Sequence, residues 1–187
     1  APGSIPWDAF DVDIVIDSTG VYRKKEQLQL HLDSGARRVF VTKPPADEID
    51  RIVIQGINHD KINSKDQIIS TTSSTTQVLA LMLKVLDQNF GIENAMMTNV
   101  HAYTSDQPLA DSVRSDLRRS RSAVENIIPN ETWAPDYVSQ LLPKFKNKIS
   151  GMAMNVPVAN GSCVDLTTEM SSMPSIEVVN NAFKDAS

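Results

Sequence analysis

The sequence predicts an α/β region followed by an α+β region. Three observations carry this reading. A β-branched strand, a helix-spaced segment and a second strand follow one another within about thirty residues near the start, the pattern of a βαβ unit with parallel pairing. The apolar stretches of the second half are longer and are interleaved with helical segments, which fits longer, antiparallel strands beside helices. Finally, 187 residues with 41% hydrophobic and 22% charged side chains can bury one core or two small ones, and this excludes a largely disordered chain.

Asp13-Ile14-Val15-Ile16-Asp17 reads as a buried strand that Ser18-Thr19-Gly20 ends. Lys24 to Leu32 has helical spacing, with Gly35 as C-cap. Arg38-Val39-Phe40-Val41-Thr42 is the next strand, stopped by Pro44-Pro45. A further strand is expected at Ile52–Gln55, and Gln67–Ser70 leads into the hydroxyl run Ser70 to Thr76. Val78 to Phe90 then reads as a strong helix closed by Gly91. Later strands are predicted at Ala95–His101, Lys148–Val156 and Ser162–Thr168, with helices over Ala134–Leu142 and Ile176–Lys184. The boundary between the halves is placed near Ser70, giving domains 1–70 and 71–187. No internal repeat or low-complexity segment interrupts this order.

Composition removes several function classes. Eighteen basic against 23 acidic residues give a net charge of −5, which argues against broad nucleic-acid binding, a process driven by phosphate neutralisation. The greasiest stretch, Val78 to Leu86, is broken by Lys84 and is too short for a membrane span. No signal-peptide pattern opens the sequence. The single cysteine, Cys163, excludes an internal disulfide framework and fits a reducing compartment, so the expected location is the cytoplasm. His31, His59, His101 and Cys163 show no metal-ligand spacing, and no metal is expected.

The candidate chemistry lies in three places. The hydroxyl run sits between a strand and a helix, where N–H groups and the helix dipole favour anions. Ser73 or Ser74 reads there first as an N-cap, and Ser74 otherwise as a nucleophile activated by His101 if the fold brings them together. His101 closes an apolar run; a structural role and a general-base role both fit it. Arg114, Arg118, Arg119 and Arg121 either receive a phosphate or pair with Asp111 and Asp116 on a solvated face. Cys163, inside a strand pattern, reads as a small core residue.

Six segments in order resemble the glyceraldehyde-3-phosphate dehydrogenase family. Val12 to Tyr22 resembles its V-D-I-V-I-E-S-T-G-V-F, and Gly56-Ile57-Asn58-His59-Asp60 its G-V-N-H-D. Ser70 to Gln77 stands where the family has S-N-A-S-C-T-T-N. His101 to Gln107, Asp116 to Arg121 with Asn126-Ile127-Ile128-Pro129, and Gly151-Met152-Ala153-Met154 with Val164-Asp165-Leu166 continue the likeness. The resemblance implies the C-terminal part of a Rossmann-like nucleotide-binding domain, followed by most of a dehydrogenase catalytic domain with a mixed or antiparallel sheet. It implies NAD or NADP as cofactor, a small phosphorylated aldehyde as substrate and a homotetrameric parent. By resemblance His101 is the catalytic histidine. Ser73, Thr75, Thr104 and Thr132 match hydroxyls that hold phosphate, and Arg119 lies in a loop near the cofactor and a subunit interface. Ser18, Thr19, Gly20 and Thr42 match cofactor-contacting positions.

The departures carry as much information. Ser74 stands where the family has its nucleophilic cysteine, Asn155 where it has a phosphate-binding arginine, and Trp133 where it has glycine. Gln77 replaces an asparagine and Lys43 an alanine. No G-x-G-x-x-G segment precedes Trp7, and the family's last strands do not follow Ser187, so the chain is expected to be the middle of a longer subunit. The expected function is an impaired oxidoreductase homologue, with a non-catalytic structural, regulatory or ligand-binding homologue as the alternative. A serine esterase built on Ser74 and His101 is a third reading, disfavoured because no orienting carboxylate is identifiable.

Overall fold

The structure is a computed structural model that describes residues 1–187. It divides into two compact units, residues 1–77 and 78–187.

The first unit holds β1 (Ile14–Asp17), α1 (Lys25–Asp33), β2 (Arg38–Val41), β3 (Arg51–Ile52) and β4 (Ile68–Ser70). All its strand pairs are parallel, in the order β1-β2-β4-β3. The βαβ expectation therefore holds: α1 is the crossover that parallel neighbours require. Leu28 of α1 packs with Val39, Val41, Ile49 and Ile68 in one buried cluster. On β1 the buried positions are Val15 and Asp17, while Ile14 and Ile16 are exposed. The inward face of this edge strand thus ends on a carboxylate. The strand expected at Ile52–Gln55 shrinks to Arg51–Ile52. Beyond it the Asn58 side chain donates to the Ile52 carbonyl and accepts from the Ile54 N–H, which turns the backbone away from strand geometry.

Helix α2 (Ser74–Phe90) leads into the second unit, which holds β5 (Ile92–Ala102), β6 (Ile128–Asn130), α3 (Ala134–Leu141), β7 (Ile149–Val156), β8 (Ser162–Met170) and α4 (Ile176–Asp185). The strand order is β6-β7-β5-β8. β5 pairs with β8 and β6 with β7 antiparallel, whereas the central pair β5–β7 is parallel. The sheet is therefore mixed, and α3 lies in the crossover between its two parallel strands. β6 escaped the sequence reading because it contains Pro129, which an edge strand tolerates. Leu79, Leu83, Met97, Ile128, Val138 and Phe145 fill the core of this unit. No helix is long and apolar enough to cross a membrane.

Candidate functional site

In the first unit the candidate residues gather at the carboxyl ends of the parallel strands, where open α/β sheets take their ligands. Asp17 organises the turn after β1. Its Oδ1 accepts from the Thr19 N–H at 2.9 Å and from the Thr19 hydroxyl at 2.7 Å. Gly20 follows with φ +72°, a conformation that suits glycine, and the Lys43 Cε lies 3.5 Å from where a Cβ would sit. Thr42, one residue past β2, donates its N–H to the Asp17 carbonyl at 3.1 Å. Ser18, Thr19, Gly20 and Thr42 thus form one cluster, and Ser18, Thr19 and Thr42 are exposed.

The β4–α2 turn is held from beneath. Ser70 is fully buried; its hydroxyl donates to the Lys43 carbonyl at 2.8 Å and accepts the Thr72 N–H at 2.9 Å. Thr72 has φ +58°, and its buried hydroxyl finds no partner. Gln77 donates its side-chain amide to the Thr71 carbonyl. Ser73 is the N-cap: its hydroxyl accepts the Thr76 N–H at 3.1 Å and meets the Thr76 hydroxyl at 2.8 Å. This cap explains why α2 starts at Ser74, earlier than the apolar pattern indicates. Ser74 is the first helical residue and is exposed, and Thr75 lies in the same first turn, half-buried. Of the two neighbouring serines, the cap is therefore Ser73 and not Ser74.

In the second unit His101 sits at the end of β5, in register with Asn155 on β7 and Ser162 on β8. Its Nδ1 is 2.6 Å from the Ala102 carbonyl oxygen. A carbonyl only accepts, so Nδ1 carries the proton and Nε2 keeps its lone pair in the neutral ring. Asn155, buried at 6% exposure, donates to the same carbonyl at 3.4 Å. Asn130 donates in turn to the Asn155 side-chain oxygen at 3.0 Å. The amide at position 155 is thus built into the strand ends.

Thr104 and Arg119 come together, and Asp106 joins them. The Asp106 carboxylate accepts from the Thr104 hydroxyl and, at 2.5 Å, from the Arg119 guanidinium, while Arg114 donates to the Asp106 carbonyl. Burial pushes the Asp106 carboxyl up, but the Thr104 hydroxyl and the Arg119 charge outweigh it and hold the group below the usual aspartate range. Arg121 pairs with Asp111 at 3.4 Å, so the expected side-chain pairing with Asp111 or Asp116 is met by one of the four arginines, whereas Arg119 pairs with Asp106 instead. Thr132 accepts the Ala134 N–H at 3.3 Å at the start of α3, and Trp133 beside it is 64% exposed. Ser74 and His101 belong to different units. Cys163 is exposed on β8, contrary to the core expectation, because β8 is an edge strand with no buried position.

The sequence reading missed Asp106, Asn130 and the buried pair Asp17–His31. Only Asp17 left a signal: it falls on the inward alternation of β1 behind Val15.

The sequence profile described as glyceraldehyde 3-phosphate dehydrogenase, C-terminal domain, matches residues 73–187. The chain belongs to the glyceraldehyde-3-phosphate dehydrogenase family. Glyceraldehyde-3-phosphate dehydrogenase 2 of Streptomyces avermitilis is 46% identical over 186 residues, covering 99% of this chain and 55% of the relative. The Streptomyces coelicolor enzyme matches at the same identity and coverage. The Mycobacterium bovis enzyme is 42% identical over 185 residues, covering 99% of this chain and 54% of its own. The chain therefore spans about half the length of the curated relatives it matches.

Proposed function

We propose that this chain carries the aldehyde site of a glyceraldehyde-3-phosphate dehydrogenase-like oxidoreductase in a form that no longer acylates at a normal rate. The observation that carries the reading is the hydroxyl of Ser74 at the first position of α2. A cysteine there is partly thiolate near neutral pH and intrinsically nucleophilic, whereas a serine needs a strong neighbouring base. Removing the nucleophile of a serine protease such as subtilisin costs on the order of 10⁶ in kcat, which sets the scale of loss expected here.

His101 supports the family reading of a base, because its proton sits on Nδ1 and Nε2 is left to accept. The substrate class is a small phosphorylated aldehyde, with Ser73, Thr75, Thr104, Thr132 and Arg119 as the polar residues toward its phosphate. The Thr19–Gly20 turn and Thr42 fit one flank of NAD or NADP, since they place exposed hydroxyls and an open glycine backbone at strand carboxyl ends. When bound, that cofactor supplies the hydride acceptor. The parent assembly is a homo-oligomer.

Asn155 favours a second reading, a homologue that binds ligand without turnover. Its side chain is committed to Asn130 and to the Ala102 carbonyl, and an amide cannot replace the charge of a guanidinium toward phosphate. One experiment separates the two. NADH formation from glyceraldehyde 3-phosphate and inorganic phosphate is measured for the parent protein, Ser74→Cys, and Ser74→Cys with Asn155→Arg. The impaired-enzyme reading expects no turnover in the parent and a gain in Ser74→Cys. Normal turnover by the parent overturns both readings, and no gain in either variant leaves the non-catalytic one.

A further inference from the structure

We propose that Trp7, His31 and Asp17 form a positioning relay, centred on the buried His31–Asp17 pair, that holds the Ser18–Thr19–Gly20 turn and that opens at Trp7 when His31 is protonated. The chemistry of the donors fixes its direction. The Trp7 indole N–H is 3.1 Å from His31 Nδ1, and an indole nitrogen only donates. Nδ1 therefore accepts, and in the neutral ring the proton lies on Nε2. That nitrogen is 3.3 Å from Asp17 Oδ2, which accepts it. The other carboxylate oxygen, Oδ1, takes both the N–H and the hydroxyl of Thr19, and the Thr19 hydroxyl in turn accepts the Val21 N–H at 3.2 Å. Four side chains thus connect residue 7 to the turn, each donor with one acceptor.

The centre of the relay is buried, between a half-buried Trp7 and an exposed Thr19. His31 is 5% and Asp17 4% exposed, and the indole and imidazole rings lie 5.8 Å apart at 40°. Its members come from the N-terminal segment, the last turn of α1 and the end of β1, so it joins three separate pieces of chain. A buried carboxylate with all its partners in place is rigid; with one missing it carries a desolvation penalty.

Protonation puts a second hydrogen on the ring, at Nδ1. That hydrogen faces the Trp7 N–H, donor against donor, so the Trp7 bond cannot persist. The Asp17 bond persists and becomes an ion pair. Asp17 is the only charged side chain bonded to the ring. Charged groups on segments packed against α1 or its C-terminal end include the N-terminal amine, which donates to Ser4, Arg38, which donates to the Asn63 carbonyl, and Asp8, whose N–H donates to the Ser34 carbonyl and whose carboxylate accepts the Ala9 N–H. Acid therefore releases the Trp7 end and leaves the Asp17 end closed.

The role of the relay in ligand binding rests on the reading of the Thr19–Gly20 turn as a cofactor flank, but its existence does not, and the test keeps them apart. The full chain is prepared with Trp133→Phe, which leaves Trp7 as the one indole. At neutral pH the imidazole ¹⁵N resonances of His31 are expected to show a proton on Nε2 and none on Nδ1. On acidification, Trp7 emission is expected to change in step with the appearance of the second ring proton in the His31 ¹⁵N resonances. The change is expected to vanish in His31→Gln. Trp7→Phe is expected to lose the single-tautomer signature while remaining folded. A proton on Nδ1 at neutral pH, or an emission change that survives His31→Gln, overturns the relay. If the relay signals appear, Asp17→Asn is expected to weaken binding of NAD by about tenfold, since it leaves the Thr19 donors a neutral acceptor. Intact relay signals with unchanged NAD affinity in Asp17→Asn would refute the turn's ligand role while leaving the relay itself standing.

Discussion

The Ser70–Ser74 turn and the Thr104–Arg119 loop are both polar approaches to candidate sites, yet they are held by different physics. The floor of the turn is buried: Ser70 and Thr72 are 0% and 1% exposed, and neutral hydrogen bonds to backbone groups fix them. The loop is exposed and closed by charges, with Asp106 drawing in Thr104 and Arg119. Neutral bonds in a dry place are costly to lose and insensitive to salt. Exposed ion pairs contribute little and are screened. The turn is thus built to hold one geometry, and the loop to exchange its partners.

Ser70→Ala tests this most severely. One hydroxyl serves the Lys43 carbonyl and the Thr72 N–H, so its removal strands a part-buried acceptor and a buried donor. The expected loss is about 2–4 kcal/mol in urea denaturation. A loss below about 0.5 kcal/mol would show that the turn is not held in this way. Thr72→Gly works in the opposite direction. A β-branched residue at φ +58° costs roughly 1–2 kcal/mol, and an unpartnered buried hydroxyl adds to that. Glycine gives back about 0.5–1 kcal/mol through its flexible unfolded state. The net expectation is a gain of about 1–2 kcal/mol, read as a raised urea midpoint.

The contrast also decides what the sequence made legible. The βαβ unit was readable because β-branched runs and turn residues act locally: Asp13–Asp17, the α1 spacing and Arg38–Thr42 all fell within a residue or two of β1, α1 and β2. The family motifs singled out Ser74 and His101 as candidates. The parallel pairing of β5 with β7 was not readable, because two strands some fifty positions apart carry the same alternation whichever way they run. Asp106 was equally silent. Its importance comes from Arg119, which only the loop brings near. The capping of α2 by Ser73 was offered by the pattern, but a choice between two adjacent serines needed the Thr76 N–H. His31 looked like any polar residue on a helix until Trp7 and Asp17 closed over it.

Asp106→Asn is expected to have the smallest effect on stability and the clearest effect on ligands. The pair is exposed, so its loss is expected to cost less than about 1 kcal/mol and to shrink further in salt. The same change removes the negative charge from between Thr104 and Arg119 and leaves the guanidinium uncompensated. Sulfate, which keeps its charge across the working range, is the appropriate probe. Its affinity is expected to rise about tenfold, equivalent to roughly 1.4 kcal/mol. Acid acts in the same direction in the parent chain. The Asp106 carboxyl is held below the ordinary aspartate value in the folded state. Its contribution to stability is therefore complete above the unfolded value and is lost as pH falls through the lower, folded one. Over that acid interval sulfate binding by the parent is expected to strengthen, while binding by Asp106→Asn stays flat. Sulfate affinity that is equal in both proteins at neutral pH would mean that Asp106 does not compete with anions. The loop would then be as fixed as the turn, and the difference between them would disappear.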